Sequence, residues 1–250
     1  MMRFKASLKN ELTKLKCHKK YTVLLLLSIA LSAVWGILNF LAGQVKTLPI
    51  TPVDTLSGLP MMLLGFFVST IIPLIVFMAA CDLFTGEVAD GTVRAGFMRP
   101  VSRFKQYFAK VSAVYVVAVI YLGAIFVFSE LFRLIAVRSG SGILTELASY
   151  ALDCIPLIVL VLFASMVNQF LKSTSLSVIL CIIIYMGLLA GGVVISQLSG
   201  LVFTGYMQWH TLWLGYGVPF GAMLPKIFIL IGYGLVFSCV GYYFFERKEA

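Results

Sequence analysis

The sequence predicts an all-α membrane protein with six transmembrane helices, and three observations predict it. Of 250 residues, 61% are hydrophobic and only 12% charged, too little charge to keep a 27.5 kDa globule in water. Uncharged apolar runs of roughly 20 residues, the length that a hydrocarbon core of about 30 Å demands, recur along the chain. Its nineteen Lys and Arg residues cluster between those runs rather than along one face. That pattern marks topology determinants and argues against a nucleic-acid partner. Cys17, Cys81, Cys154, Cys181 and Cys239 form no CxxC pair, so neither a disulfide framework nor a zinc site is expected.

Residues 1–20 come first. Phe4, Leu8, Leu12 and Leu15 recur at steps of four, four and three, with Arg3, Lys5, Lys9, Lys14 and Lys16 on the other faces. This is an amphipathic interfacial helix whose stripe would sink to the acyl boundary while its lysines meet anionic membrane lipid. An anchor and topology signal is the simpler reading, and a gating role the alternative. The spans follow at residues 21–41, 61–81, 111–129, 154–171, 175–195 and 227–245. Fifteen Lys and Arg fall on the side of the termini and four, Lys46, Arg133, Arg138 and Lys226, on the other. The positive-inside rule therefore puts both termini in the cytoplasm. The first apolar run is too long for a cleaved signal peptide and no A-x-A site follows it, which reads as a retained anchor.

Residues 82–110 are the sizeable polar stretch between spans on that side. Asp90-Gly91 signals a turn, Val93 and Phe97 are four apart on a short helix that Pro100 must end, and Ser102 is a plausible N-cap for a helix carrying Phe104, Phe108 and Val111. A crossing helix that docks to a partner and a solvated loop with a re-entry cap are equally compatible with these residues.

The run Glu87, Gly91, Thr92, Arg94, Arg99-Pro100-Val101-Ser102-Arg103 and Lys110 resembles the E-x-x-x-G-T-x-R … P-V-S-R … K pattern of permease subunits of the type 2 ATP-binding-cassette (ABC-2) exporters. Length, basic N-terminus and six spans match as well. The resemblance implies a single transmembrane permease domain, residues 1–250, in a bacterial plasma membrane. It pairs with a second permease, identical or a sister subunit, above two ATPase subunits that bind ATP and Mg. Phe97 and its neighbours would form the coupling helix. Glu87 would hold the foot of the second span against the interfacial helix or the ATPase, Gly91 would permit the turn, Thr92 would cap the crossing helix and Arg94 would contact the ATPase. Arg103 and Lys110 would meet headgroup phosphates at the entry to the third span. The chain has no Gly-Lys dipeptide, hence no loop of the G-x-x-x-x-G-K-[ST] type to cradle nucleotide phosphates; no catalytic residue, cofactor or metal is expected on it.

Ser28, Ser32 and Gly36 in the first span, and Gly187 and Gly191 in the fifth, are small residues four apart. Such faces let helices approach closely, either at a permease dimer seam, as the resemblance implies, or within one subunit. Residues 199–224 carry Phe203, Tyr206, Trp209, Trp213, Tyr216 and Phe220 without a formal charge in 201–221. This reads as an extracellular re-entrant segment with Trp and Tyr at headgroup level, bent at Gly217, Pro219, Gly221 and Pro225. His210 reads as a hydrogen-bonding residue there. Glu130 and Arg133, three apart, read as a structural ion pair. Asp153 is expected to cap the fourth span, and Asn168 and Gln169 to face headgroups. Because the carboxylates sit near span ends, a separately fuelled permease for an antimicrobial peptide, drug or lipid-like molecule is favoured over a proton-coupled transporter. A membrane anchor or sensor is the second class. An intramembrane enzyme is the third, and it lacks a nucleophile with a base at one depth.

Overall fold

A computed structural model describes residues 2–44, 58–91, 101–137, 142–195, 200–215 and 220–247, and all regular structure among them is helical. The amphipathic α1 (Met2–Cys17) leads through His18 into α2 (Lys19–Gln44). Then come α3 (Leu59–Ala89), α4 (Arg103–Val137), α5 (Ile143–Val167), α6 (Thr174–Val194) and α7 (Phe220–Arg247). The six helices α2 to α7 are each long and apolar enough to cross a membrane. Their contacts alternate direction, so the N-terminus, the foot of α3, the start of α4 and the end of α7 share one end of the bundle, here the basic end.

The helix at the centre is α5. Of its apolar window 67% is buried inside the protein, against 17% for α2, α6 and α7. Around it α3 and α4 form an inner ring, while the outer helices present leucine, isoleucine and valine to the exterior. That is the reverse of a soluble core and fits a lipid solvent.

Several spans run longer than their apolar runs, the third reaching from Arg103 to Val137. The second does not stop at Cys81, because Leu83, Phe84 and Thr85 are buried; helix α3 continues for two turns to Ala89 and removes 82–89 from the expected polar linker. The fourth begins at Ile143 rather than 154, after Gly142 in the left-handed region at φ +91°. The last begins at Phe220 rather than 227, so Gly221 and Pro225 belong to its first turns and are not bends of the preceding segment. Pro225, the sixth residue of α7, removes one i→i−4 hydrogen bond, that to the carbonyl of Gly221, near the start of the helix.

Helix α3 carries two π turns, at Phe67–Ile71 and Asp82–Gly86. The first ends two residues before Pro73, which has no N–H for the carbonyl of Ser69 and whose ring crowds it, so the helix widens. At the other end of the bundle from the N-terminus, the chain between α6 and α7 dips inward. Its 3₁₀ turn Phe203–Tyr206 seats Phe203 against Phe163 of α5 and against Tyr233 and Phe237 of α7, with ring centroids 5.3 to 5.7 Å apart.

Candidate functional site

The foot of α3 is gripped from every side. Glu87 Oε1 lies 2.6 Å from Lys110 Nζ of α4 and 2.7 Å from Lys14 Nζ of α1. Glu11 of α1 completes the ring, 3.0 Å from Lys14 and 3.6 Å from Lys110. Lys110 also donates to the carbonyl of Leu83 at 2.7 Å. Two carboxylates and two ammonium groups balance in charge, and the Lys110 and Glu11 side chains are each only 8% exposed. Removing such charges from water is costly, so the ring persists only because each member finds opposite charge. Burial opposes the charge on Lys14, yet Glu87 and Glu11 outweigh it and hold its pKa above the ordinary value.

Beside this ring, Lys20 Nζ pairs with Asp82 at 2.6 Å and the Tyr21 hydroxyl donates to the same carboxylate. Tyr121 of α4 donates to the carbonyl of Tyr21. On the opposite flank, Thr85 Oγ1 donates to Asn168 Oδ1 at 3.0 Å, and Ser177 of α6 donates to that oxygen too. Asn168 Nδ2 returns to the carbonyl of Ala164 at 2.7 Å. The foot of α3, residues 82–87, is thus tied to α1, α2, α4, the end of α5 and α6, and a turn at Gly91, φ +68°, follows after Ala89. Thr92, Arg94, Phe97 and Pro100 lie outside the described residues.

Several expectations change here. Lys110 does not meet headgroup phosphates; its ammonium is buried against Glu87, Glu11 and Leu83. Arg103 donates to the carbonyl of Glu246 at the end of α7. Ser102 precedes α4, and its carbonyl accepts from Gln106 N–H at 3.1 Å. The stripe of α1 packs on the bundle, with Leu15 buried and Leu8 and Leu12 against the core, instead of sinking into lipid. Asn168 and Gln169 are buried rather than facing headgroups, because the hairpin closes over them: α5 ends at Val167 and α6 starts at Thr174. Glu11 was overlooked, although it stands at the i+3 position of the stripe Leu8, Leu12, Leu15. It is the one acid before the first span. Nothing in the sequence paired Thr85 with Asn168, 83 positions away.

The small-residue faces divide. Ser28 and Ser32 are buried within the subunit, and a Cβ on Gly36 would meet the Phe132 ring of α4 at 2.9 Å. This face packs within the subunit, at the α2–α4 contact. Gly187 and Gly191 have nothing within 4 Å of an added Cβ. In the inward-dipping segment Trp209 is 2% exposed and Trp213 37%, so Trp209 is a core residue and not a headgroup anchor; Tyr216 and Gly217 lie outside the described residues. Asp153 does not cap a helix. It sits inside α5 with no exposure, accepting at 2.7 Å from the backbone N–H of His210 and pairing at 2.7 Å with its Nδ1. Glu130 and Arg133 pair as expected, joined by Glu146.

A basic amphipathic helix packed on six spans, with the foot of the second span locked between the first helix and the third span, is now in view. The model of the ABC-2 family transporter proteins matches residues 7–188, from α1 into α6. The chain belongs to the ABC-2 family. No curated protein matches it. In this ABC-2 transporter protein the matched stretch contains the whole ionic ring and the Thr85–Asn168–Ser177 network. The inward-dipping segment and α7 lie beyond it.

Proposed function

We propose that this ABC-2 transporter protein is the permease subunit of an ATP-driven exporter, worked by a separate ATPase subunit that docks at the basic end. One observation carries the reading: Glu87 is clamped between Lys14 and Lys110 one turn before the Gly91 bend. A lever must be stiff to transmit ATPase closure to the spans. A foot of α3 fastened to five other helices moves them together when residues 92–102 are pushed. Thr92, Arg94 and Phe97 are the residues assigned to the ATPase surface, with ATP and Mg held on that partner. By the positive-inside rule the basic end faces the cytoplasm.

The permease works as a pair, with an identical or sister subunit. Gly187 and Gly191, open on the surface of α6, support α6 as a seam helix. The substrate class we assign is amphipathic or hydrophobic, such as an antimicrobial peptide, a drug or a lipid-like molecule. Short connections between spans support direct extraction from the bilayer. The test is purification of the tagged protein in mild detergent, mass spectrometry of what accompanies it and an assay of ATP hydrolysis. A stoichiometric ATPase whose activity requires this chain supports the reading. No ATPase even after crosslinking in native membranes would overturn it in favour of an anchor.

A further inference from the structure

At the end of the bundle opposite the N-terminus, one guanidinium serves two carboxylates. Arg133 Nη2 lies 2.6 Å from Glu130 Oε2 on α4, and Arg133 Nη1 lies 2.6 Å from Glu146 Oε1 in the first turn of α5. Glu130, Arg133 and Glu146 are 6%, 2% and 6% exposed. The two carboxyl groups thus converge on a single guanidinium. Yet Glu130 Oε1 and Glu146 Oε2, both shielded from solvent, have no donor among the described residues. The site therefore has two deficits. Two buried acceptor oxygens lack a hydrogen, and among the described residues one guanidinium faces two carboxylates, a formal charge of −1 in a buried place. Unpaired buried charge and unsatisfied buried acceptors are each strongly unfavourable.

A single positive charge carrying a hydrogen removes both deficits. We propose that Glu130 and Glu146 bind one proton between them, making the triad with Arg133 a neutral, buried proton site at the α4–α5 junction. The surrounding groups leave this vacancy unfilled. Tyr150, one turn along α5 from Glu146, gives its hydroxyl to the carbonyl of Pro60 on α3. Asp153, the next carboxylate along α5, is engaged by His210 of the inward-dipping segment. Among the described residues, Arg133, Tyr150, Asp153 and His210 are the titratable or charged groups around the pair, and Arg133 is the cation that neutralises part of it.

In the unfolded chain both carboxyls are ionised at neutral pH, whereas the folded chain retains one proton. The folded state binds more protons, so stability falls as pH rises, by up to tenfold in the unfolding constant per pH unit. Full ionisation sets two like charges against each other across the junction.

The test uses full-length protein in lipid nanodiscs, with thermal denaturation followed from mildly acidic to alkaline buffer in wild type, Glu130→Gln and Glu146→Gln. Each amide supplies the missing donor while the remaining carboxylate still neutralises Arg133. The expected result is a wild type whose midpoint drops toward alkaline pH, and variants that drop less and exceed it there. Two fully ionised carboxylates would take up no proton on folding, so the difference between wild type and variants would not change with pH, which overturns the proposal. Infrared spectroscopy of the wild type, independent of how the variants fold, should show a protonated-carboxyl band at neutral pH that fades on alkaline titration; its absence also overturns it. An alkali cation could supply the charge instead. If exchange of sodium or potassium for choline at fixed pH destabilises wild type but not the variants, the site is a metal-cation site and the proton assignment fails.

Discussion

The Tyr185 hydroxyl of α6 donates at 3.0 Å to the backbone carbonyl of Ser69 on α3, the carbonyl whose i+4 partner would be the missing N–H of Pro73. A proline four residues on removes that donor, and in lipid no water replaces it. The π turn opens the helix at this point and the neighbouring span repairs it. A local defect in one helix thereby becomes a link between two.

Tyr185→Phe should lower stability by about 1–3 kcal/mol, the cost of leaving a buried carbonyl unpaired. Pro73→Ala restores the N–H, so the double variant should lose little beyond Pro73→Ala alone. Melting temperatures of the four proteins in one detergent give the coupling. Additive losses would show that the hydroxyl does not serve that carbonyl.

Removing Lys110 should be more damaging than removing a surface lysine. Lys110→Met leaves Glu87 and Glu11 to share Lys14 in a buried ring, a loss of about 3–5 kcal/mol when one partner of such a pair is deleted. Lys110→Arg keeps the charge and should lose less. Thermal denaturation of both variants decides it.

For coupling, Glu87→Ala releases the clamp, and Gly91→Val puts a β-branched residue at φ +68°, a conformation costing L-residues about 1–2 kcal/mol. Both should lower substrate-stimulated ATP hydrolysis or transport more than they lower expression. Normal activity in both variants would remove the lever role from this segment.

The glycines of α2 and α6 should respond differently. Gly36→Val drives a side chain into the Phe132 ring and should destabilise the isolated subunit, with Phe132→Ala restoring much of the loss. Gly187→Val and Gly191→Val meet nothing within the subunit. They should change its stability by no more than about 0.5 kcal/mol while weakening permease pairing, read by crosslinking in membranes. Unchanged pairing would move the seam away from this face of α6.

Asp153→Ala deletes both hydrogen bonds to His210 and should free the inward-dipping segment at a cost of about 2–3 kcal/mol, as expected for bonds to a charged group. Trp209 reports this directly. With Trp35 and Trp213 replaced by Phe, its fluorescence should be shielded from an aqueous quencher in the parent and accessible in the Asp153→Ala variant. Asp153→Asn, which keeps one acceptor, should fall between them.

Six apolar runs, a basic amphipathic start and the absence of a phosphate-binding loop are one-dimensional properties, and they sufficed for an all-α membrane protein with six crossing helices. The small-residue periodicities were equally visible, but period alone does not say whether a face meets a neighbour in the same chain or in another. Ser28 and Ser32 point inward while Gly187 and Gly191 are open.

What local sequence determined about this protein is what it does against lipid: where the chain can cross, and which side holds the charge. What only the tertiary structure decided is how its polar residues are satisfied. Glu11, Lys14, Glu87 and Lys110 meet across up to 99 positions of chain, and Asp153 meets His210 across 57. In an apolar surround each buried charge or donor must find its complement wherever packing brings one. Those pairings set the foot of α3, the inward-dipping segment and the acid pair at the far end, because an unpaired polar group has no water there to accept it.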